Sequence, residues 1–489
     1  MAIVDNAAPA PVRARGRDTL ALLVVLLGYL TLPMLMSGTT IALPTIGTAV
    51  GASGAALQWV VVGYFLTASS LMLVAGSLGD LFGRRRVFAA GALVYATGSL
   101  ASAFAGGVLL LDLARTVSGI GAAGVMASGG AILGSTFTGA ARTRAFAALG
   151  TTAGVGLAVG PTLSGWLVGS LGWRAFFAVF AAIGLLILAG TTVMTETRAT
   201  RRPRIDALGS VTLIGALALV MFGVNQAADA GWASASVLLP LAVGMGLAVT
   251  FTVIERHAPY PVLDLAVLRN RRFAAWCLAC LFVSAGPSGV LAFLPTFLQG
   301  VNGASTQLAG LTMMLLTAPV LLMPQVGAWV VNRGVAPRLL ITISLLLLAI
   351  GNGWLTVLHP GIGVGGLAGP LLTIGIGMGL MIGTTDAQAM NEVAPERLGM
   401  AAGLLNTVRG GGTTLVTTLF GTALINLLQA RLGSTQTAVE VAAGNLNGPD
   451  RATHAALLSE AWHVVTWSVA GSCAAAAIGV WVLLRPDRR

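Results

Sequence analysis

Lysine is absent from the 489 residues, so all 27 basic side chains are arginine. Charge of either sign is scarce, with Asp, Glu, Lys and Arg making 9% of the chain, against about 25% in soluble proteins. That scarcity excludes a water-soluble chain with a solvated surface. Cysteine is nearly missing, and Cys277, Cys280 and Cys473 all fall in apolar runs, which excludes a disulfide framework. Cys277-Leu-Ala-Cys280 has redox or metal-pair spacing, but no second Cys or His cluster accompanies it, so small packing residues are the favoured reading. His257, His359, His454 and His463 are scattered in loops or at helix ends. No metal, cofactor or catalytic constellation is expected, which sets aside an intramembrane enzyme.

Apolar length is what the chain has. Hydrophobic residues make up 56% and mean hydropathy is +0.89, in repeated runs of about 20 residues that match a bilayer's hydrocarbon core. Spans are predicted near 19–42, 56–77, 87–106, 108–133, 145–168 and 174–194, then 207–227 and 235–254, then 273–298, 306–331, 338–358, 364–386, 398–428 and 462–484. Charged breaks separate the groups. The expected architecture is all-α and integral to the membrane, with fourteen helices. Its expected parts are a tail (1–18), a six-helix bundle (19–194), two linker helices with their loops (195–272), a second six-helix bundle (273–484) and a tail (485–489).

The formal charge of +11 does not point to nucleic acid, because the arginines sit in clusters between spans and form no single basic face. Arg84, Arg85, Arg86, Arg142, Arg144, Arg201, Arg202, Arg204, Arg271, Arg272, Arg333, Arg338 and Arg397 all fall on one predicted side. The positive-inside rule makes that side cytoplasmic, with both termini there. The apolar run after Arg13, Arg15 and Arg17 is too long for a signal-peptide core and should stay attached. Arginine without lysine, together with 65 glycines, fits a GC-rich bacterial genome. The expected setting is the cell membrane, as a monomer.

"GSLGDLFGRRR" (76–86) follows the second span, and "GAWVVNRGVAPR" (327–338) follows the second span of the last group. Glycine spacing is the same in both, Gly76 to Gly83 and Gly327 to Gly334, which predicts two related halves. Val331 replaces the acid Asp80 in the second copy.

The first copy, with Gly76, Asp80, Gly83, Arg84 and Arg85, resembles the loop between the second and third helices of the major facilitator superfamily. "GVGLAVGPTLSGW" places Gly154, Gly156, Gly160 and Gly165 around Pro161 and resembles that family's antiporter motif; generic close packing of small residues is the plainer alternative. Proline there removes a backbone hydrogen bond and is expected to kink the helix. "LARTVSGIGAAG" matches the fourth-helix pattern through Arg115, Gly119 and Gly121. "LGWRAFF" (171–177) and "LLNTVRGGG" (404–412) resemble the fourteen-helix drug:proton antiporter branch. The resemblance spans essentially the whole chain and implies efflux of drugs or antibiotics by alternating access, driven by protons. It departs at Leu35, where that branch usually carries an acid, and at Phe180 and Ala182, where it tends to carry Asn and Pro.

A proton-coupled transporter needs a group that is protonated in one state and paired in another, a role suited to buried carboxylates. Of 16 acids, only Asp112 and Asp386 fall inside predicted spans away from their charged flanks. Asp386 lies near a helix end, where the first reading is a solvated carboxylate and the second a proton carrier. Asp112 lies three residues before Arg115 on the same helical face. It reads first as a counter-ion to Arg115 and second as a proton carrier that releases it.

Arg409, with Asn406 one turn earlier, reads either as a helix-to-helix hydrogen-bonding residue or as a cavity contact. Trp59, Tyr64, Phe65, Phe282, Phe293, Phe297 and Gln299 are candidates for the wall of an apolar, aromatic cavity. Few acids favour neutral or amphipathic compounds over strong cations. The expected partners are a small-molecule substrate, protons and lipid. The alternative is the same fold moving lipid or another metabolite without proton coupling through a first-helix acid.

Overall fold

The structure is a computed structural model that describes residues 12–52, 54–198, 206–258, 263, 265–304, 306–446 and 450–485. Arg201, Arg202, Arg204 and the last arginines of the tail lie outside the described residues. Among the described residues no strand occurs.

In chain order the helices are α1 (Val12–Val50), α2 (Gly54–Phe82), α3 (Arg84–Ala103), α4 (Val108–Thr136), α5 (Gly139–Gly190), α6 (Ala207–Ala230), α7 (Ala235–His257), α8 (Leu265–Arg269), α9 (Arg271–Ala285), α10 (Ser288–Gly300), α11 (Thr306–Thr317), α12 (Pro319–Asn332), α13 (Pro337–Trp354), α14 (Val364–Met381), α15 (Thr384–Asn391), α16 (Leu398–Leu432), α17 (Thr435–Ala442) and α18 (Arg451–Leu483). Several are halves of one longer stretch. α9 and α10 meet at Gly286-Pro287, α11 and α12 at Ala318, and α14 and α15 at Ile382-Gly383. α5 is the reverse case, two helices running together with a sharp turn at Gly172, whose φ of 83° suits a residue without Cβ.

Eleven helical stretches among the described residues are long and apolar enough to cross a membrane. Helical segments among the described residues also match the three further predicted spans, in α3, in the first part of α5 and in α6.

Hydrocarbon solvates leucine as well as leucine does, so helices in a membrane associate through close packing instead. Here glycine supplies it. A methyl group on Gly121 would overlap Tyr95 of α3, and one on Gly156 would overlap the Leu30 carbonyl of α1. The first group, α1–α5, meets the group α9–α18 along two seams. On one, Gly76 lies on the Gly399 carbonyl and Gly403 on Met72, joining α2 to α16; on the other, Gly154 faces Val320, joining α5 to α12. α6 and α7 pair beside the first seam, where Trp59 stacks on Phe222 at 5.5 Å. Leu109, Leu110, Leu113, Val117 and Ile120 form an exposed apolar face on α4, as suits contact with lipid.

Candidate functional site

At the arginine-rich end, Asp80 closes the α2–α16 seam. Its Oδ1 accepts from Arg84 Nε at 2.9 Å, from Arg84 Nη2 at 2.7 Å and from the Gly399 amide at 3.0 Å, while Oδ2 accepts from the Met400 amide at 3.0 Å. Gly399 and Met400 are the second and third residues of α16, whose amides lack partners inside the helix. Asp80 therefore caps, from another helix, an end whose own cap residue, Arg397, makes no side-chain capping bond. Arg84 also donates to the Pro395 carbonyl at 2.8 Å, and both side chains are buried. Gly83, at φ 112°, turns the chain, and Arg85 donates its amide to Glu196 Oε1 at 3.1 Å. Glu196 was not singled out from sequence as a partner of this loop; it lies 111 residues from Arg85.

Other polar contacts between the groups gather toward the same end. Arg142 Nη1 donates to Asn391 Oδ1 at 2.7 Å, and Asn332 Nδ2 donates to the Ala140 carbonyl at 3.4 Å. Deeper in, Thr407 Oγ1 donates to the Ser69 carbonyl at 3.4 Å.

The glycine-proline segment does not break its helix. α5 stays helical through Gly160 and Pro161, and Gly172 is the residue with non-helical backbone angles. Gly156 packs on α1 and Gly160 is buried; Gly165 is half-buried. Gly150 packs on Ile382, at the break between α14 and α15. α5 thus carries small residues toward both helical groups.

Asp112 and Arg115 do not pair. Arg115 Nε donates to the Val60 carbonyl of α2 at 3.2 Å, and its guanidinium lies 4.4 Å from the Tyr64 ring centroid and 5.5 Å from that of Phe177. Asp112 Oδ1 and Arg115 Nη1 have no hydrogen-bond partner among the described residues. The three-residue spacing puts both on one face, but Arg115 turns toward the aromatic rings between α2 and α5. The expected counter-ion contact is therefore corrected. Leu35, at the usual acidic position, is fully buried.

Asp386 is the second correction. It is buried at 6% exposure, not solvated, and both its oxygens accept from Arg409 Nη2 at 2.7 Å. Arg409 Nη1 donates to Asn406 Oδ1 at 3.0 Å within α16, while its bonds to Asp386 link α16 to α15. Tyr29 of α1 faces Asn406 and donates to the Met126 carbonyl at 2.6 Å. Tyr29 escaped the sequence reading; its signal is rarity, since the chain has 4 tyrosines. Cys280 approaches the Leu405 carbonyl at 3.7 Å. Cys277 and Cys280 are free and buried.

The aromatic candidates divide into separate places. Tyr64 is buried, with Phe65 edge-on at 6.3 Å. Phe293 stacks on Phe420 at 5.6 Å, and Trp462 meets both Phe420 and Phe297 edge-on at 5.0 and 5.9 Å. Phe282 is partly buried, packed on the core. Gln299 donates to its own Pro295 carbonyl at 3.2 Å. Phe297 belongs to packed core; Phe65, Phe282 and Phe293 keep partial exposure.

Two helical groups joined along glycine seams, with a carboxylate clasp across one of them, define a polytopic membrane transporter. The chain belongs to the Major Facilitator Superfamily, whose profile matches residues 25–417; it is a secondary transporter and not an enzyme. It is similar to the tetracenomycin C resistance and export protein of Streptomyces glaucescens, 29% identical over 97% of this chain and 94% of that protein. It is also similar to the puromycin resistance protein of Streptomyces alboniger, 31% identical over 83% of this chain and 80% of that one. Among solved structures it shares the fold of the proton:xylose symporter XylE, with a TM-score of 0.64, 13% identity and 96% of each chain covered.

Proposed function

We propose that the protein exports small apolar or amphipathic compounds of the antibiotic or drug class across a bacterial cell membrane, by proton antiport and alternating access. In this reading two six-helix bundles, 19–194 and 273–484, and the two linker helices between them make fourteen membrane helices, with both termini cytoplasmic. The observation that carries it is the Asp80 clasp. It holds the arginine-rich end shut through bonds made to an end of α16 that belongs to the other group, and such a clasp has a function only if the two groups separate there. With the positive-inside rule the closed end is the cytoplasmic one. The antibiotic relatives supply the substrate class. Arg115, Asp112 and Asp386 are the coupling candidates, and Trp59, Phe65, Phe282, Phe293, Gln299 and Arg409 the cavity candidates with open surface.

The alternative, uncoupled movement of lipid or another metabolite, draws on Leu35, which leaves α1 without a carboxylate in the core. Inside-out proteoliposomes with an acidic lumen separate the two. Tetracenomycin C accumulates in them and is lost when the gradient is collapsed. Accumulation that ignores the gradient, or none at all for tetracenomycin C and puromycin alike, overturns the proposal.

A further inference from the structure

We propose that Asp386 is the coupling carboxylate and that its protonation releases Arg409 into the space between the helical groups, where the guanidinium excludes the exported compound. This rests on the antiport reading and adds the residue pair and the sense of the exchange.

The geometry begins with a broken helix. α14 ends at Met381, Gly383 turns the chain at φ 76°, and α15 restarts with Asp386 in its first turn. The break is held by the other helical group, since a methyl on Gly383 would overlap the Phe146 carbonyl of α5 and Ile382 packs on Gly150. Discontinuous helices of this kind place charge where a transporter's halves meet. Asp386 is thus tied on one side to α5 and on the other, through Arg409, to α16.

Burial of an ion pair is sustained only while both partners are charged and well oriented. Here Arg409 meets both carboxylate oxygens at 2.7 Å, and its side chain is 25% exposed against 8% for Asp386. Protonating Asp386 removes the charge that holds Arg409. The guanidinium then leaves toward its exposed side, the direction in which it finds solvent. Asn406 keeps one bond to it and serves as the pivot.

The sign of the coupling follows. With Asp386 ionised, Arg409 is held aside and the space is free for a compound; with Asp386 protonated, Arg409 fills it. Proton and compound therefore exclude one another, as antiport requires. The class this admits is the uncharged amphiphile, because an anionic compound would bind better to a released guanidinium and travel with the proton.

The titratable groups facing Asp386 are Arg409 from α16, Cys277 and Cys280 from α9, and Tyr29 from α1. α5 brings Arg142 to Asn391 at the far end of α15, while α12 and α14 have no titratable residue in their sequences. Asp112 makes no link between the groups and is only partly buried.

The test uses the full chain in nanodiscs, with the three cysteines replaced by alanine and spin labels at Thr138→Cys and Arg333→Cys. Label-to-label distances in the wild-type background should shift between pH 5 and pH 9. Asp386→Asn should be flat with pH and should bind tetracenomycin C about tenfold more weakly, with affinity restored in the double variant Asp386→Asn, Arg409→Gln. Arg409→Lys, which keeps the charge but loses the two-oxygen grip, should move the midpoint to higher pH. A wild-type pH shift surviving in Asp386→Asn, a double variant that binds no better than the single one, or an unmoved midpoint in Arg409→Lys overturns the assignment alone. Wild-type distances that ignore pH overturn the antiport reading itself.

Discussion

Asp80 and Asp386 are both carboxylates buried beside arginine, yet their partners set them apart. Asp80 takes two backbone amides of α16 as well as Arg84, so it acts as a cap across a seam. A hydrogen bond to a charged group contributes about 1.5–3 kcal/mol. Asp80→Asn keeps the shape but loses the charge and one acceptor oxygen, and should favour opening by about 2 kcal/mol, roughly 30-fold in the closed-to-open ratio. Spin-label distances at the arginine-rich end should lengthen, and transport should fall while expression holds. Unchanged distances would show that the clasp does not keep that end shut. The loop signature made Asp80 and Arg84 legible in the sequence because their spacing is local. Asp112 misled for the same reason, since spacing places it near Arg115 but says nothing of the Tyr64 and Phe177 rings that draw the guanidinium away. The Asp386–Arg409 pair was illegible because its members sit 23 residues apart on different helices.

At the scale of elements, glycine decides which helices touch. Gly156 and Gly169 both lie on α5, but a side chain at the first overlaps the Leu30 carbonyl, whereas nothing lies within contact of the second. Replacing glycine inside a helix adds about 0.5–1 kcal/mol of propensity where there is room. Gly169→Leu should therefore keep or raise the melting temperature of the purified protein, and Gly156→Leu should lower it by several degrees and abolish transport. Equal melting temperatures would refute the reading of α5 as a packed glycine face. Gly383 is a sharper case, because it combines a left-handed backbone with an overlap on Phe146. Gly383→Ala carries about 1–2 kcal/mol of backbone strain plus that overlap, and should reduce thermal stability more than Gly363→Ala, where nothing is in contact. The helices themselves were legible from apolar runs. The break at Ile382-Gly383 was not, since a single glycine among many glycines carries no mark of its backbone angle.

For the whole molecule, contacts between the two groups are asymmetric, and under the proposed alternating access that asymmetry predicts the direction of access. The cross-group bonds of Asp80, Arg84, Arg142 and Asn332 lie at the arginine-rich end, while bonds at the opposite end of the second group stay within it, as between Asn302 and Ile362 at 3.0 Å and between His463 and Leu358 at 2.8 Å. Separating the groups at that opposite end breaks none of these bonds, so under the proposed alternating access it is the end expected to open first. Thr413 lies one turn beyond Arg409 on the same face of α16 and is partly exposed. In right-side-out vesicles a cysteine placed there, in the cysteine-free background, should react with a membrane-impermeant maleimide added outside and resist the same reagent added to inside-out vesicles. Adding Asp80→Asn should raise the rate from the inside and lower it from the outside, because loss of the clasp shifts a two-state population and leaves the states themselves unchanged. Reaction from the inside at the same rate with and without Asp80 would mean that the arginine-rich end is not the gate, and both the orientation and the clasp would have to be abandoned together.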